Sequence, residues 1–140
     1  MVHALELVRE RLELDGVLID IHPAGEMPPL FLRAEESESL IGWFQETDYF
    51  IEYRQADQAI ARAISAGLFK LIEHREFIFE LQAANIAGLQ AYLTASWSDS
   101  LLEEQLIERA NRMQRLASSP STIILAERVQ ILKLVPQMAA

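Results

Sequence analysis

The stretch that decides the fold is VRERLELDGVLIDI, residues 8–21, in which an amphipathic segment is followed by a short apolar one. Apolar residues at helical spacing predict a helix from His3 to Leu14; they are Ala4, Leu5, Val8 and Leu12. Gly16 can adopt the positive φ that a helix exit needs, so the helix is expected to end at Asp15-Gly16. The β-branched run from Val17 to Ile21 predicts a strand buried on both faces, as in a parallel sheet.

The segment that follows this strand is rich in proline and carries two short apolar runs. Leu30 to Arg33 and Leu40 to Gln45 predict short strands. Asp48 is placed to cap a longer helix, and Gly67 is expected to close it. The apolar stripe of that helix consists of Tyr49, Tyr53, Ala56, Ile60, Ala63 and Ile64.

The second half of the chain predicts two long strands that flank two helices. Alternation from Leu68 to Leu81 favours a strand, and the charges from Glu73 to Glu76 indicate a bulge or an exposed edge in its middle. Asn85 and Asp99 each stand where a helix cap is expected. Thr122 to Val135 predicts the last strand, with apolar side chains on both faces.

Charge and composition exclude several classes of function. The chain has 140 residues, a formal net charge of −9 and no cysteine. An acidic surface repels a phosphate backbone, so no nucleic-acid partner is expected. The lack of cysteine excludes disulfide scaffolds, thiolate metal sites and cysteine nucleophiles, and it fits a reducing compartment.

Two features of the sequence bear on its location. Arg9 to Arg11 follow the amino terminus too closely to leave an apolar signal core, so a cytoplasmic protein is expected. The longest uncharged stretch, Leu81 to Ser98, is interrupted by amide and hydroxyl side chains. It predicts a buried helix, and no membrane partner is expected.

The order of the elements and their residues resemble the C-terminal half of a class I S-adenosylmethionine-dependent methyltransferase. Residues 8–21 are similar to the helix, turn and fifth strand of that family, with Leu14-Asp15-Gly16 in place of its Pro-Gly-Gly turn. Residues 68–81 and 122–135 are similar to the sixth and seventh strands, and Trp43 to Ala63 resembles a substrate-side insertion of one uncharacterised branch. The resemblance implies an α/β fold: a half-Rossmann methyltransferase-like sheet with a terminal antiparallel strand pair and flanking helices, in one domain spanning residues 1–140.

The cofactor-binding elements of that family are not in this sequence. The family uses a glycine-rich loop and an acidic residue for the ribose hydroxyls. The five glycines of this chain are isolated from one another; they are Gly16, Gly25, Gly42, Gly67 and Gly88. The resemblance therefore implies an uncharacterised methyltransferase-like fragment that acts as a structural or partner-completed subunit. It would bind S-adenosylmethionine only if a partner supplied the loop.

An alternative function, a small-ligand binding domain or degenerate enzyme, centres on His22. This histidine follows the predicted strand of residues 17–21, at the edge where open α/β sheets place ligands, and it could act as a general base. The competing interpretation is a histidine in an exposed turn before Pro23. Trp43, Glu46, Tyr49 and Tyr53 are candidates to line the same pocket, although the tyrosines also fit the helix core. No catalytic residue is assigned.

Other chemical motifs point to little. His3, His22 and His74 have no metal-ligand spacing between them, so no metal site is expected. The cluster Glu73 to Glu76 is interpreted as solvated cross-strand charge pairs. Neither a serine nucleophile motif nor a phosphate loop is present.

The resemblance also predicts sheet order and association. The last strand is expected between residues 17–21 and 68–81, antiparallel to both. Residues 17–21 would then have an uncovered edge, which predicts a homodimer or a complex with a separate N-terminal half. The alternative is that residues 30–45 fold back to cover this edge. Because His22 is expected in an exposed turn, its replacement by alanine is expected to change stability by less than about 1 kcal/mol.

Overall fold

The computed structural model describes residues 2–138, an α/β fold with a mostly antiparallel sheet and four helices. The elements in chain order are α1 (Val2–Arg11), β1 (Leu18–Pro23), β2 (Pro29–Ala34), β3 (Ser37–Trp43), β4 (Gln45–Glu46), α2 (Ile51–Ser65), β5 (Phe69–Ala83), α3 (Ile86–Ser96), β6 (Ser100–Leu101), α4 (Glu104–Leu116) and β7 (Ser121–Pro136).

The chain divides into two compact units, each with buried residues of its own. Within the described residues, unit 1 contains 2–25, 51–77 and 128–138, and unit 2 contains 26–50 and 78–127. The long strands β5 and β7 each contribute one part to either unit. The expectation of a single domain over residues 1–140 stays a prediction.

Unit 1 is a sheet with two helices on one of its faces. Strand β1 pairs antiparallel with β7, from Leu18 opposite Leu134 to Pro23 opposite Val129, and β5 also pairs with β7. The predicted antiparallel pairing of the first and last strands is confirmed. Helices α1 and α2 cover a core of Ile60, Ala63, Phe69, Leu132 and Leu134, against which Leu5, Val8 and Leu12 pack.

The prediction that the first strand is buried on both faces, as in a parallel sheet, is wrong. Its one partner strand among the described residues is the antiparallel β7, and the side chains of Ile19 and Ile21 are 50% and 59% exposed. Alternate side chains of a strand point to opposite faces. Helices α1 and α2 cover only the face that carries Leu18, Leu132 and Leu134. The apolar run of this strand therefore does not indicate that helices cover both of its faces.

Unit 2 is built on a hairpin and two helices. β2 and β3 pair antiparallel, β2 also pairs with residues 121–125 of β7, and β4 pairs with β6. The prediction of short strands near residues 30–33 and 40–45 is thus confirmed. Their pairing is with β7 and with each other, and the alternative in which residues 30–45 cover the edge of β1 stays a prediction. The largest buried side chains are Leu30, Ile41, Phe44, Ile86, Leu89, Leu93, Ile123, Ile124 and Leu125.

Two of the predicted helix-end residues are confirmed and three are not. Helix α1 ends at Arg11, before the expected Asp15-Gly16, and Gly16 does not have a positive φ. Asn85 Oδ1 accepts a hydrogen bond from Gly88 N at 2.8 Å and caps α3, and Gly67 has a φ of +74° after α2. Asp48 is not the cap of α2, since its Oδ1 accepts from Phe50 N at 3.0 Å in the preceding turn. Asp99 lies five residues before α4, and its carbonyl accepts from Thr47 N at 2.9 Å next to the short β4–β6 pair.

The two remaining expectations concern residues 81–98 and 73–76. The uncharged stretch forms the end of β5 and the helix α3, whose Ile86, Leu89 and Leu93 are buried. Across residues 2–138 no helix has the length and apolar character needed to span a membrane. The charged residues 73–76 lie inside β5, largely exposed, as expected for a sheet edge.

Candidate functional site

The most connected polar cluster of the described residues surrounds His22 in unit 1. Its Nδ1 makes a very short contact with Asp20 Oδ1, and its Nε2 lies 2.8 Å from Asp57 Oδ1. Both ring nitrogens of this buried imidazole therefore contact carboxylates. Only 8% of the residue is exposed.

The strand and the helix around His22 bring the three side chains together. Asp20 and His22 are two residues apart on β1 and share the face that α2 covers. Asp57 lies in α2, three residues before the buried Ile60, so it belongs to the edge of the same helix face. The alternation of side chains along β1 and the helical spacing along α2 thus place Asp20, His22 and Asp57 at one site.

The charge of His22 follows from these contacts. Burial disfavours the charged ring, but the hydrogen bonds to Asp57 and Asp20 outweigh it and raise the pKa of His22 above its usual 6.5. With both nitrogens protonated, each N–H can donate to one carboxylate. Below this raised pKa, His22 is an imidazolium held between two aspartates.

The cluster extends across the sheet through Gln130. Gln130 Nε2 donates to Asp57 Oδ1 at 3.2 Å, and its Oε1 lies 3.0 Å from Nε2 of His74 on β5. Arg128 Nη1 on β7 lies 3.6 Å from Glu76 Oε2 on β5. These contacts tie β1, α2, β7 and β5 to one another.

The prediction that His22 lies in an exposed turn is wrong. The residue belongs to β1, opposite Gln130, and it is buried. Pro23 misled the interpretation, because a proline at the end of a strand leaves the preceding residue free to pair. With both ring nitrogens engaged, the arrangement favours a structural role for His22 over that of a general base.

The structure distributes the other candidate pocket residues between the two units. Tyr53 lies on α2 next to Gly25, and it belongs to unit 1 together with His22. Trp43, Glu46 and Tyr49 belong to unit 2. Glu46 is buried and accepts a hydrogen bond from Trp97 Nε1 at 2.6 Å, whereas Trp43 and Tyr49 are largely exposed. A ligand pocket made of His22 and these four residues stays a prediction.

Sequence reasoning missed a buried carboxyl group, Glu127, in unit 2. It is only 9% exposed, and its Oε1 has no hydrogen-bond donor within the described part of the chain. Burial raises the pKa of Glu127 to about 7. Its side chain lines a small cavity of about 40 Å³ whose other walls are apolar or aromatic; they are Phe79, Leu81, Tyr92, Trp97 and Leu125.

A sequence signal existed for both missed sites. Asp57 is four residues after Tyr53 and three before Ile60, on the apolar stripe of α2. Glu127 interrupts an apolar face of β7 between Leu125 and Val129. In each case a carboxylate at a position predicted to be buried marked a residue that needs a partner or a function.

The expectation that this chain alone binds neither a metal nor a cofactor stays a prediction. Within residues 2–138 no group of three or more His, Cys, Asp or Glu side chains could hold a metal ion. The glycine that the resemblance places in a turn, Gly16, makes room for the chain itself: a Cβ there would lie 2.7 Å from Leu12 Cγ. A Cβ on Gly42 would lie 2.5 Å from Leu106 Cδ1, so that glycine also makes room for an internal contact.

Comparisons with models of protein families, with curated proteins and with solved structures find no match to this chain.

Proposed function

We propose that this chain is a non-catalytic subunit that acts by association, and that its partner is a second copy of itself. The observation that carries the proposal is the face of the unit 1 sheet opposite α1 and α2, here called the outer face. It contains Ile19 and Ile21 of β1 and Ile131 of β7. Ile19 and Ile21 are 50% and 59% exposed.

The register explains why these residues lie together. Ile19 is opposite Lys133 and Ile21 is opposite Ile131, and directly paired residues share a face. Burying such a patch contributes roughly 25 cal/mol per Å² of apolar area, which is the gain that association would use.

The charges of the outer face fit a second copy better than the average surface of the chain does. The paired strands β1 and β7 contribute one charged residue to this face, Lys133, which lies opposite Ile19. Their part of the face therefore has no excess of negative charge, although the whole chain has a formal charge of −9. A two-fold axis through this apolar centre would bring identical patches together, which is the commonest closed arrangement.

The edge of β1 supports the same partner. Within the described residues β1 pairs with β7 alone, so its other edge is open to a further strand. Leu18 to Ile21 contain neither lysine nor proline, two residues that commonly protect an edge.

We also propose that the chain derives from the C-terminal half of a methyltransferase, which its sequence resembles. The half-Rossmann arrangement requires the last strand to pair on both sides, and the pairing of β7 with both β1 and β5 supports this origin. A separate N-terminal half that carries a glycine-rich loop would then be the other partner, and S-adenosylmethionine would bind only to that complex. The chain alone is proposed to have no transferase activity and to work in the cytoplasm.

Light scattering of the purified chain at micromolar concentration tests the proposal. We expect twice the 15.9 kDa chain mass. Ile21→Lys should shift the mass to that of a monomer with an unchanged circular dichroism spectrum. Leu40→Lys, a similarly exposed aliphatic residue on β3 in unit 2, should leave the dimer intact. A monomeric wild type, or equal effects of both variants, would refute the outer face as the interface.

Calorimetry separates self-association from the cofactor question. Titration of the chain alone with S-adenosylmethionine is expected to give no heat of binding. Stoichiometric binding would overturn the proposed absence of a cofactor site, whatever the oligomeric state.

A further inference from the structure

The cavity at Glu127 in unit 2 is unrelated to the proposed association. It combines a carboxyl side chain that is nine-tenths buried with an aromatic wall, and Oε1 of that carboxyl has no donor among the described residues. A buried carboxylate without a donor is unfavourable unless something compensates it. A cation in the cavity would provide that compensation.

From this geometry we propose that the cavity binds the ammonium head of a small primary alkylamine, with Glu127 as its counter-ion. The ammonium group contacts the carboxylate, and the aromatic rings of Trp97 and Tyr92 in the cavity lining attract the same positive charge. The first carbons of the ligand contact Leu81 and Leu125.

The size of the cavity selects the head group. One water molecule needs about 10–15 Å³ of cavity volume. The cavity of about 40 Å³ therefore holds roughly three non-hydrogen atoms in a row. This space fits a nitrogen and two methylene carbons. A quaternary ammonium, which has four carbons around its nitrogen, is too wide.

The mouth of the cavity sets the rest of the ligand. Phe79 and Tyr92 are each about half exposed, at 50% and 49%, although they line it. An alkyl tail that leaves the cavity can therefore lie against exposed aromatic surface. This favours an amine with a short aliphatic chain over ammonium itself.

Trp97 is held in place for this role. Its Nε1 donates to Glu46 Oε1 at 2.6 Å, and its ring lies 5.2 Å from that of Phe44 between centroids. Glu46 is a positioning residue, since it orients the aromatic wall and is not in the cavity lining. A fixed wall reduces the ordering that binding would otherwise require.

The charges around the cavity favour a cation as well. Tyr92 on α3 is the titratable neighbour within the lining, and Glu46 on β4 lies behind Trp97. On β5, Glu80 pairs with Arg33 at 2.7 Å on the opposite face from Phe79 and Leu81. The lining residues include no lysine, arginine or histidine that could neutralise Glu127.

The test is a titration of the full chain with n-butylammonium chloride, followed through the indole N–H signals in ¹H–¹⁵N NMR spectra. The chain has two tryptophans, and the signal of Trp97 is assigned as the one that Trp43→Phe retains. At pH 8 we expect saturable shifts of the Trp97 signal with a Kd of roughly 1–10 mM. Neutral n-butanol of the same shape should bind at least about tenfold more weakly, and tetramethylammonium should not displace the amine.

Variants and pH assign the contact to the carboxylate. Glu127→Gln should weaken butylammonium binding at least about tenfold, whereas Glu108→Gln, the same charge change at an exposed position on α4, should not. Binding should weaken from pH 8 to pH 5.5 in the wild type, because the ligand must then displace a proton, and stay constant in Glu127→Gln. Thermal unfolding of each variant shows whether it is folded.

Several results would overturn the proposal. Equal affinity for butanol would make the cavity a plain apolar site. Unchanged affinity in Glu127→Gln, or the absence of any saturable shift at Trp97, would remove the carboxylate or the cavity from binding.

Discussion

Nε2 of His22 lies 2.8 Å from Oδ1 of Asp57, although the two residues are 35 positions apart in the chain. The contact joins the end of strand β1 to helix α2, and Asp20 holds the other ring nitrogen. The apolar core of Ile60, Ala63 and Leu134 gives the helix its packing but little orientation. The directional contacts of the imidazolium add the orientation, which makes His22 a structural residue.

Replacing His22 tests this role directly. His22→Ala should lower the free energy of unfolding by about 2 kcal/mol at pH 6, because it leaves two carboxylates facing each other in a partly buried site. His3, whose side chain is 82% exposed, is the matched control, and His3→Ala should change stability by less than about 0.5 kcal/mol. Urea denaturation measures both. A loss no larger than that of the control would return His22 to the exposed turn that the sequence predicted.

The stabilisation by His22 should depend on pH in a defined direction. Its folded pKa is raised above the unfolded value near 6.5, so its contribution is fully present below pH 6.5 and is lost as the pH rises through the folded pKa. The difference in stability between the wild type and His22→Ala should therefore shrink from pH 6 to pH 9. Asp57→Asn should weaken this dependence, because it removes one of the two carboxylates. A difference that grows with pH would contradict the imidazolium assignment.

Local sequence patterns were sufficient for most elements of the fold. Helical spacing located α2, alternation located β5 and β7, and Asn85 and Gly67 marked true helix ends. These signals depend on neighbours within a few residues, which the sequence shows directly.

Other features depended on contacts between distant segments. The apolar run at β1 indicated burial, but whether Ile19 and Ile21 are covered depends on which face α1 and α2 occupy. His22 was interpreted without Asp57, because no local pattern brings residues 22 and 57 together. A single charge inside a strand is usually solvated, and the burial of Glu127 depends on distant residues such as Tyr92 and Trp97, which line the same cavity.

Two glycines provide a matched pair for the helix ends. Gly67 has a φ of +74° and open space around its Cα, so Gly67→Ala should cost about 1 kcal/mol through backbone strain alone. Gly88 lies in the first turn of α3, where a Cβ would make ordinary contact with Asn85 Oδ1 at 3.4 Å. Gly88→Ala should therefore stabilise the chain by about 0.5–1 kcal/mol. Thermal unfolding measures both changes, and equal effects of the two variants would contradict the assignment.

The buried carboxyl of Glu127 should make the chain less stable as the pH rises. The unfolded pKa is near 4.5 and burial raises the folded value to about 7, so the folded protein holds a proton that the unfolded chain releases. The shift corresponds to about 3 kcal/mol of stability, fully present below pH 4.5 and lost by the time the pH has passed 7.

Glu127→Gln isolates this effect because it keeps the shape of the side chain and removes its titration. The variant should be close to the wild type at pH 4.5 and more stable than it at pH 8, by up to about 3 kcal/mol. Glu108→Gln should give no such difference between the two pH values. Denaturation of all three proteins at both pH values is the measurement. If Glu127→Gln were less stable than the wild type at pH 8, the carboxylate would have a favourable partner in the folded chain. Its charge would then need no cation in the cavity to compensate it.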